Sequence, residues 1–405
     1  MATSTEPVER EARPEPSQEG GGEDRSTRRL LWILMLLLLG GAIALLVLLF
    51  WLLRPSPAAA PTAEGGYPIE VVTTIYGSGK EPNELIRTPL GVAFDQDGNV
   101  WVSNTGQSRV EQYTADGGFI RMVGDEEDAG QLFAPYGLAV DGSRGRVYVA
   151  DYAGRAVQIF STDGGYVGHF PADDQDLEVF GEDGFSPFDV ELVQGRVVVA
   201  SNDGLYFFDE SGHVVSRWGG LRKGENVRGR DVGMFNFPDA IAADAETGRL
   251  YVADSLNRRI VALGAEGRWL WVSGKPDEGG QTMGFWGLPR GIQVGPDGNI
   301  YVVDTFRYST KGMGEGHLAV LSPDGELLSL FGRSGIVDGS FNFPEQLAAG
   351  PDGLWAIADR ENNRVVVFRL VTPYPEPSKL EGPKYEGMVD RPEDVWATPS
   401  PQPAG

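Results

Sequence analysis

A carboxylate and an arginine recur together along this chain, four or five residues apart. The pattern occurs in "YVADYAGRAV" (148–157), "YVADSLNRRI" (251–260) and "IADRENNRVV" (357–366). A carboxylate repeated at intervals could contribute to a metal ring, but here each one has a cation across a single turn, and opposite charges this close attract each other. We therefore predict structural ion pairs and no metal site. The predicted pairs are Asp151 with Arg155, Asp254 with Arg258 or Arg259, and Asp359 with Arg364, with Asn104 and Arg109 as a weaker version.

Other catalytic chemistry has few candidates in this sequence. The chain has no cysteine, which excludes disulfides, thiolate metal sites and a cysteine nucleophile. Its three histidines, His169, His213 and His317, are widely spaced, and we expect surface or packing roles for them. No nucleophile elbow, phosphate-binding loop, zinc-protease motif or complete calcium loop is present. The net charge of −24 also disfavours nucleic acid as a partner.

One segment has the composition of a membrane span. Residues 30–53 contain neither a charge nor a proline, with Trp32 and Trp51 near the two ends. About twenty apolar residues cross a bilayer core as a helix, and indole rings favour its interfaces. A cleaved signal peptide is the alternative, but its apolar core is only about 7–15 residues long. We therefore predict a transmembrane helix.

The segments that flank the span predict its orientation. Arg25, Arg28 and Arg29 precede it, and only Arg54 follows it closely, so the positive-inside rule places residues 1–29 in the cytoplasm and the rest outside the cell. Residues 1–29 are polar and predicted to be disordered. Residues 54–68 form a Pro/Ala linker, and residues 371–405 form a Pro-rich tail that we also predict to be disordered.

Between these segments the chain repeats itself six times. Successive units open on a proline and are spaced by roughly 46 to 55 residues, a period typical of propellers and solenoids. The opening prolines are Pro89, Pro135, Pro187, Pro238, Pro289 and Pro344. Each unit contains up to four short strands separated by Gly-containing turns, which describes one blade of a β-propeller.

The sixth unit lacks a fourth strand, whereas a strand of that type stands alone before the first unit, at residues 69–79. We predict that this N-terminal strand (residues 69–77) completes blade 6 and closes the ring, since closure removes exposed sheet edges. The predicted fold is all-β: a six-bladed β-propeller over residues 69–370, preceded by one transmembrane helix.

The units resemble the NHL repeat. They follow the pattern "P-x-G-[VIL]-A-x-D", then "dG-N-[IV]-Y-V-[AV]-D", then "N-x-R-[IV]-x-x-[FL]", most closely in units 4 and 6 and least in unit 3. The resemblance implies a six-bladed propeller. It implies no single function, because similar propellers serve as protein-binding modules, RNA-binding domains, receptor sensor domains, lyases and hydrolases.

The residue after each opening proline is predicted to lie near the channel mouth. These residues are Leu90, Tyr136, Phe188, Asp239, Arg290 and Glu345. The first three are apolar or aromatic and the last three are charged, so the mouth would have two halves able to hold an amphiphilic peptide or small molecule. The alternative is that Arg290 serves only to neutralise Asp239 and Glu345.

Two longer loops are predicted to join the same face, where recognition residues concentrate on a rigid scaffold. The first, residues 217–237, and the second, residues 305–316, are rich in arginine and aromatic residues, as protein interfaces are. Their candidate recognition residues are Arg222, Lys223, Arg228, Arg230, Phe306, Arg307 and Tyr308. Solvated loops without a function are the alternative.

These features favour a membrane-anchored, extracytoplasmic binding or scaffolding module with a protein or peptide partner at the cell surface, and with no cofactor. The second hypothesis is an enzyme, a lyase or hydrolase of the gluconolactonase or strictosidine-synthase-like kind. Enzymes of that kind are implied to hold a divalent metal such as calcium in the channel, where Asp239 and Glu345 would supply oxygens. Arg290 between these two carboxylates argues against that reading.

Overall fold

The structure of the protein is a computed structural model. It describes residues 32–38, 40–41, 45, 68–125, 129–172, 179–180, 184–222, 225–226, 228–274, 286–305, 308–309, 312–313, 315–371 and 389–390. Contacts divide the chain into two units, residues 1–58 and residues 59–405.

The first unit is described only at part of the predicted membrane span. The described residues between 32 and 45 are helical. Within the described residues, no helix has the length and apolarity needed to cross a membrane. The predicted cytoplasmic segment 1–29, much of the predicted span and nearly all of the predicted linker lie outside the described residues.

Within the described residues, the second unit contains six blade sheets, one for each sequence unit, and two short two-stranded hairpins. The blade sheets are antiparallel except for one parallel pair, formed by the last two strands of blade 5. The chain begins with β1 (Ile69–Ile75) and then forms blade 1 from β2 (Pro89–Phe94), β3 (Val100–Asn104), β4 (Arg109–Tyr113) and β5 (Phe119–Val123). Blade 2 contains β6 (Pro135–Asp141), β7 (Arg146–Asp151), β8 (Ala156–Ser161) and β9 (Tyr166–Phe170). Blade 3 contains β10 (Asp189–Val193), β11 (Arg196–Ser201), β12 (Gly204–Phe208) and β13 (Val214–Trp218), followed by a small hairpin of β14 (Leu221–Arg222) and β15 (Glu225–Asn226).

The remaining blades follow the same plan. Blade 4 contains β16 (Pro238–Ala243), β17 (Leu250–Asp254), β18 (Arg259–Leu263) and β19 (Trp269–Ser273). Blade 5 contains β20 (Pro289–Val294), β21 (Ile300–Asp304), a hairpin of β22 (Tyr308–Ser309) and β23 (Gly312–Met313), then β24 (Glu315–Leu321), β25 (Leu327–Ser334) and β26 (Ser340–Phe341). Blade 6 contains β27 (Pro344–Ala349), β28 (Leu354–Asp359) and β29 (Arg364–Leu370), and β30 (Val389–Asp390) pairs with β19 at the edge of blade 4. The rest of the predicted disordered tail after residue 371 lies outside the described residues.

The N-terminal strand is the outer strand of blade 6. β1 runs antiparallel to β29, with Ile69 opposite Leu370 and Ile75 opposite Val365. The sheet order is β1, β29, β28, β27, so the sheet combines the two ends of the repeat region. The chain therefore forms a six-bladed β-propeller whose sixth sheet is completed by the first strand.

The core lies between neighbouring blades. Strands such as β3, β17 and β21 are buried at every position because both faces of each sheet pack on the next sheet. This explains their continuous apolar sequences, in contrast to the alternation of a strand with one solvated face. The outer strands β5 and β9 carry more exposed residues.

The carboxylate at the end of the second strand binds the loop that enters its own blade. Asp359 accepts a hydrogen bond from the backbone N–H of Asn342 at 2.6 Å, and Asp254 accepts one from Asn236 at 2.8 Å. Each of these N–H donors lies two residues before the opening proline. The carboxylates therefore hold the segments that lead to the inner strands.

Arginine at the start of the third strand completes this contact in blades 4 and 6. In blade 4, Nε of Arg259 lies 2.7 Å from Oδ2 of Asp254. In blade 6, Nε of Arg364 lies 2.7 Å from Oδ2 of Asp359. Arg259 also donates to the carbonyls of Arg230 and Met234 in the preceding loop. The side chains are buried, so each pair depends on these additional hydrogen bonds to offset desolvation.

The predicted pair of Asp151 with Arg155 does not form, and of the two partners predicted for Asp254 it is Arg259 and not Arg258 that binds. Arg258 has a left-handed backbone (φ 53°), and it is the following residue, Arg259, that lies opposite Asp254. In blade 2 the left-handed residue is Arg155 (φ 54°), and Ala156 lies opposite Asp151. Asp151 is held by backbone N–H groups, including that of Ala134 at 2.8 Å. The position after the left-handed residue therefore decides which side chain meets the carboxylate.

Blade 1 uses another acid in the same place. Arg109 donates from Nε to Oε1 of Glu111 at 2.6 Å, and Asn104 donates to the same oxygen at 3.0 Å. Asn104 still accepts from the backbone N–H of Arg87, as the aspartates do in other blades. The weaker pair predicted for Asn104 and Arg109 is thus a network built around Glu111, which is fully buried.

Candidate functional site

The six residues that follow the opening prolines surround one small cavity at the mouth of the channel. Gly137 and Gln346 complete its lining. The cavity measures about 20 Å³, close to the space of a single water molecule. The mouth therefore contains little free space. The blade-opening residues in its lining are Leu90, Tyr136, Phe188, Asp239, Arg290 and Glu345.

Aromatic rings form one half of the mouth. Phe188 lies 5.3 Å from Tyr152 and 5.8 Å from Tyr136, measured between ring centroids. Phe237 contacts the other edge of Phe188 at 5.7 Å. Offset and edge-to-face pairs at such distances favour packing beyond the burial of area alone. Tyr152 remains 38% exposed, so the cluster presents an aromatic surface to solvent.

Two carboxylates and two guanidinium groups form the other half. Nη1 of Arg290 lies 2.9 Å from Oδ2 of Asp239, and its Nε lies 3.5 Å from Oε2 of Glu345. Arg360, from the second-to-third turn of blade 6, places Nη1 at 2.7 Å from Oε1 of Glu345. The three predicted charged residues are thus linked into one network, to which Arg360 adds a second cation.

Burial sets the ionisation of this network. Burial raises the pKa of Glu345 to about 7, although Arg290 and Arg360 lower it. Burial likewise raises the pKa of Asp239, with Arg290 opposing the shift. Burial also raises the pKa of the Tyr136 hydroxyl. The arginines therefore favour the ionised forms of Asp239 and Glu345, whereas burial favours their protonated forms.

The floor of the mouth closes the channel. Gln346 of blade 6 donates from Nε2 to Oδ1 of Asp189 in blade 3, at 2.6 Å. The other oxygen of Asp189 accepts from the backbone N–H of Ile241 in blade 4, at 2.9 Å. A Cβ atom on Gly137 would lie 2.0 Å from Asp189 Oδ1, so only glycine fits beside this bond.

Asp189 and Glu191 both face the inner strand of blade 4. Glu191 accepts from its neighbour Leu192 at 2.8 Å and from the backbone of Ala243. Burial raises the pKa of Asp189 to about 8 and that of Glu191 to about 7. Alternate residues of β10 thus supply acceptors to alternate N–H groups of β16, which have no strand partner on the channel side.

The predicted loop residues are placed only in part. The Arg228 guanidinium lies 4.9 Å from the ring centroid of Phe237, next to the aromatic half of the mouth. Arg230 donates to the carbonyl of Asn257 at 3.1 Å, so it holds a neighbouring turn. Only the backbone of Arg222 and Tyr308 is described, in short hairpins, and Lys223, Phe306 and Arg307 lie outside the described residues.

Several residues of this site escaped the sequence prediction. Tyr152 and Arg360 each follow the aspartate that ends a second strand, so the repeat pattern marks that position as facing the mouth. Phe237 precedes an opening proline and has a left-handed backbone (φ 54°). Asp189 and Gln346 stand where other units have glycine or alanine, a departure visible in the aligned units.

A divalent metal in the channel mouth does not fit these donors. The oxygens of Asp239 and Glu345 that would bind it are directed at the guanidinium groups of Arg290 and Arg360. A cation brought there would meet two positive charges at hydrogen-bond distance. Within the described part of the chain, no cluster of three acidic or histidine side chains forms elsewhere either.

Comparison with known proteins bears on the fold. No protein-family model matches the chain. A solved structure of a protein of unknown function from Bacteroides thetaiotaomicron VPI-5482 is similar with a TM-score of 0.54 and 17% identity, covering 74% of this chain and 76% of that chain. A streptogramin B lyase is similar with a TM-score of 0.48 and 15% identity, and the match covers 74% of this chain and 97% of that chain. The virginiamycin B lyase from Staphylococcus aureus is similar with a TM-score of 0.46 and 14% identity, and the match covers 74% of this chain and 89% of that chain. At these identities the likeness extends to the propeller fold alone.

Proposed function

We propose that this protein is an NHL-type propeller that binds a protein or peptide partner at its mouth, held at the outer surface of a membrane by residues 30–53. The observation that carries the proposal is the convergence of all six blade-opening residues on one mouth with an aromatic half and an ion-paired half. A mouth of this volume suits the side chains of a macromolecular partner better than an enclosed small molecule.

Exposed apolar side chains on the same face support a protein partner. Ile336 is 76% exposed and Phe133 is 55% exposed, and both lie in loops that lead to an opening proline. Leu256, 51% exposed, lies in the second-to-third turn of blade 4. Apolar groups set around aromatic and arginine residues are typical of protein interaction sites.

Photo-crosslinking in the native cell envelope tests this proposal. A photoreactive phenylalanine analogue replaces Phe133 on the mouth face, and a matched probe replaces Val167, which is 48% exposed on the outer strand of the same blade. We expect a defined protein adduct from the Phe133 probe and none of the same mass from the Val167 probe.

A second substitution links the adduct to the mouth. Tyr152→Ala in the Phe133-probe background is expected to lower the adduct yield about ten-fold, since truncating a central aromatic contact costs at least about 1.4 kcal/mol. Tyr166→Ala is the control, because Tyr166 is 37% exposed but lies on β9. Identical adducts from both probes, or a yield that Tyr152→Ala leaves unchanged, would contradict a recognition role of the mouth.

The metal-dependent enzyme remains the second hypothesis from the sequence, and a calcium titration distinguishes it. A metal that binds only the folded state raises the melting temperature in proportion to its affinity. Because Arg290 and Arg360 occupy the carboxylate oxygens, we expect no stabilisation by micromolar calcium. A large calcium-dependent rise that Glu345→Gln abolishes would favour the enzyme instead.

A further inference from the structure

A second and larger cavity lies at the opposite end of the inner strands from the mouth. It measures about 340 Å³, within the range of small-molecule sites. Val140, Leu192 and Val197 form apolar parts of its wall, and turns of blades 1, 2 and 3 form its rim. None of the residues that line the mouth cavity lines this second cavity.

A short turn in blade 3 makes room for this cavity. Only Gln194 and Gly195 join β10 to β11, both with left-handed backbones (φ 49° and 79°), as a tight two-residue hairpin requires. The corresponding connection in blade 1 runs over residues 95–99, and that in blade 4 over residues 244–249. The missing residues leave the space that is lined on the other side by the turn of blade 2.

An ion-pair bridge fixes one side of the cavity. Arg144 binds Asp141 of its own turn at 2.7 Å and Glu210 of blade 3 at 2.5 Å. Asp141 also accepts from the Ser143 hydroxyl at 2.5 Å and from the backbone N–H of Arg144. The turn of blade 2 is therefore tied across the gap to blade 3, which orders the rim before any ligand binds.

Four further polar side chains of the cavity have no hydrogen-bond partner among the described residues. Tyr301 and Trp101, at the position equivalent to Tyr148, donate to aspartates of their own turns. In blade 2 that aspartate is Asp141, which Ser143 and Arg144 already bind, and the Tyr148 hydroxyl has no hydrogen bond within the described residues. The same holds for the side chains of Gln96, Gln194 and Arg196, which also line the cavity.

We propose that this cavity binds a neutral, polyhydroxylated ligand, a mono- or disaccharide. Adjacent sugar hydroxyls both donate and accept, and the amides of Gln96 and Gln194 and the Tyr148 hydroxyl offer both functions. The planar guanidinium of Arg196 can donate to two neighbouring oxygens. The apolar wall from Val140, Leu192 and Val197 matches the C–H face of a sugar ring.

Charge argues for a neutral sugar rather than an anion. The cavity lining contains two carboxylates, Asp141 and Glu210, and two arginines, Arg144 and Arg196, so its formal charge is balanced. Arg144 is already engaged by both carboxylates. The chain as a whole carries −24, which repels anionic ligands.

Calorimetric titration of the full chain tests the proposal. The probes are glucose, galactose, mannose, maltose and cellobiose, with glucuronate as the anionic comparison. We expect at least one neutral sugar to bind, and glucuronate to bind at least ten-fold more weakly than its neutral counterpart. No binding by the neutral panel, or preferred binding of glucuronate, would overturn the proposal.

Matched variants locate the binding site. Tyr148→Phe removes one hydroxyl from a ring that stays in place, and we expect about ten-fold weaker binding. Gln194→Gly suits the left-handed backbone of the turn, so it weakens binding without disturbing the fold. Arg196→Ala is compared with Arg249→Ala, which removes the arginine directly before β17 of blade 4, outside the cavity. Sugar binding that Tyr148→Phe, Gln194→Gly and Arg196→Ala all leave unchanged would exclude this cavity as the site.

Discussion

Gln346 and Asp189 join opposite blades of the ring through one hydrogen bond of 2.6 Å across the channel. The bond lies directly below the mouth, and Gln346 also lines the mouth cavity. Because the other carboxylate oxygen of Asp189 binds blade 4, this one side chain contacts three blades. Asp189 therefore links blades 3, 4 and 6 beside the mouth.

The stability of the propeller should depend on pH through Asp189. Its pKa is about 8 when folded, and an unfolded aspartate has its ordinary value near 3.8. Between these values the folded state binds the extra proton, so the free energy of unfolding falls as the pH rises, by at most about 1.4 kcal/mol per unit. The contribution is fully present below about pH 4 and lost by about pH 8.

Asp189→Asn tests this linkage, because the amide cannot titrate and still offers an acceptor to Ile241. Urea unfolding at pH 5 and pH 8 should show a smaller loss of stability in the variant than in the parent protein. Asp163→Asn, at an exposed turn, serves as the control and should leave the pH dependence unchanged. Equal pH dependence in the parent and Asp189→Asn would show that Asp189 titrates normally.

Gly137→Ala should destabilise the propeller, because the added methyl would lie 2.0 Å from Asp189 Oδ1 and 2.8 Å from Asp189 Cα. Overpacking of this kind costs about 1–3 kcal/mol. Gly168→Ala is the control, since no atom lies within 4 Å of the added methyl. The comparison is made by denaturant midpoints, and equal midpoints would place the inner strands farther apart than described.

Asp254→Ala should lower the free energy of unfolding by about 3–5 kcal/mol, because it leaves Arg259 buried without its counter-ion and the Asn236 N–H without an acceptor. Arg258→Ala should change the free energy of unfolding by only about 0.5 kcal/mol or less, since Arg258 does not contact Asp254. Chemical denaturation measures both. A larger loss in Arg258→Ala than in Arg259→Ala would reverse the assignment of the pair.

Removal of β1 should prevent closure of blade 6. A chain that begins at residue 80 exposes the whole edge of β29 and loses the apolar contacts of Ile75. We expect association and a broad thermal transition, whereas a chain beginning at residue 66 should stay monodisperse and unfold cooperatively. Size-exclusion chromatography and circular dichroism measure the two effects. Cooperative, monodisperse unfolding of the shorter chain would mean that the ring does not need this strand.

The repeat made the propeller predictable, because each unit carries its own strand and turn signals at a constant period. The mouth residues were predictable for the same reason, since one repeat position gives one place on the ring. Arg155, predicted to pair with Asp151, and Arg258, one of the two partners predicted for Asp254, each stand one residue before the position that lies opposite the carboxylate. Both residues have a left-handed backbone and belong to the turn, so the third strand begins one residue later. The spacing in the sequence does not reveal this extra turn residue.

By itself, the sequence determined the number of blades, the strand that completes the last blade and the six side chains around the mouth, since all of these depend on local patterns that recur. Only the tertiary structure decided that Asp189 and Gln346 meet across the channel, that Arg360 joins the mouth network, and that a short turn leaves a cavity between blades 2 and 3. Gln346 and Asp189 come from different blades and stand 157 positions apart in the chain, whereas Arg360 reaches Glu345 across its own blade. No local pattern encodes such pairings, because they depend on how the closed ring brings its blades together.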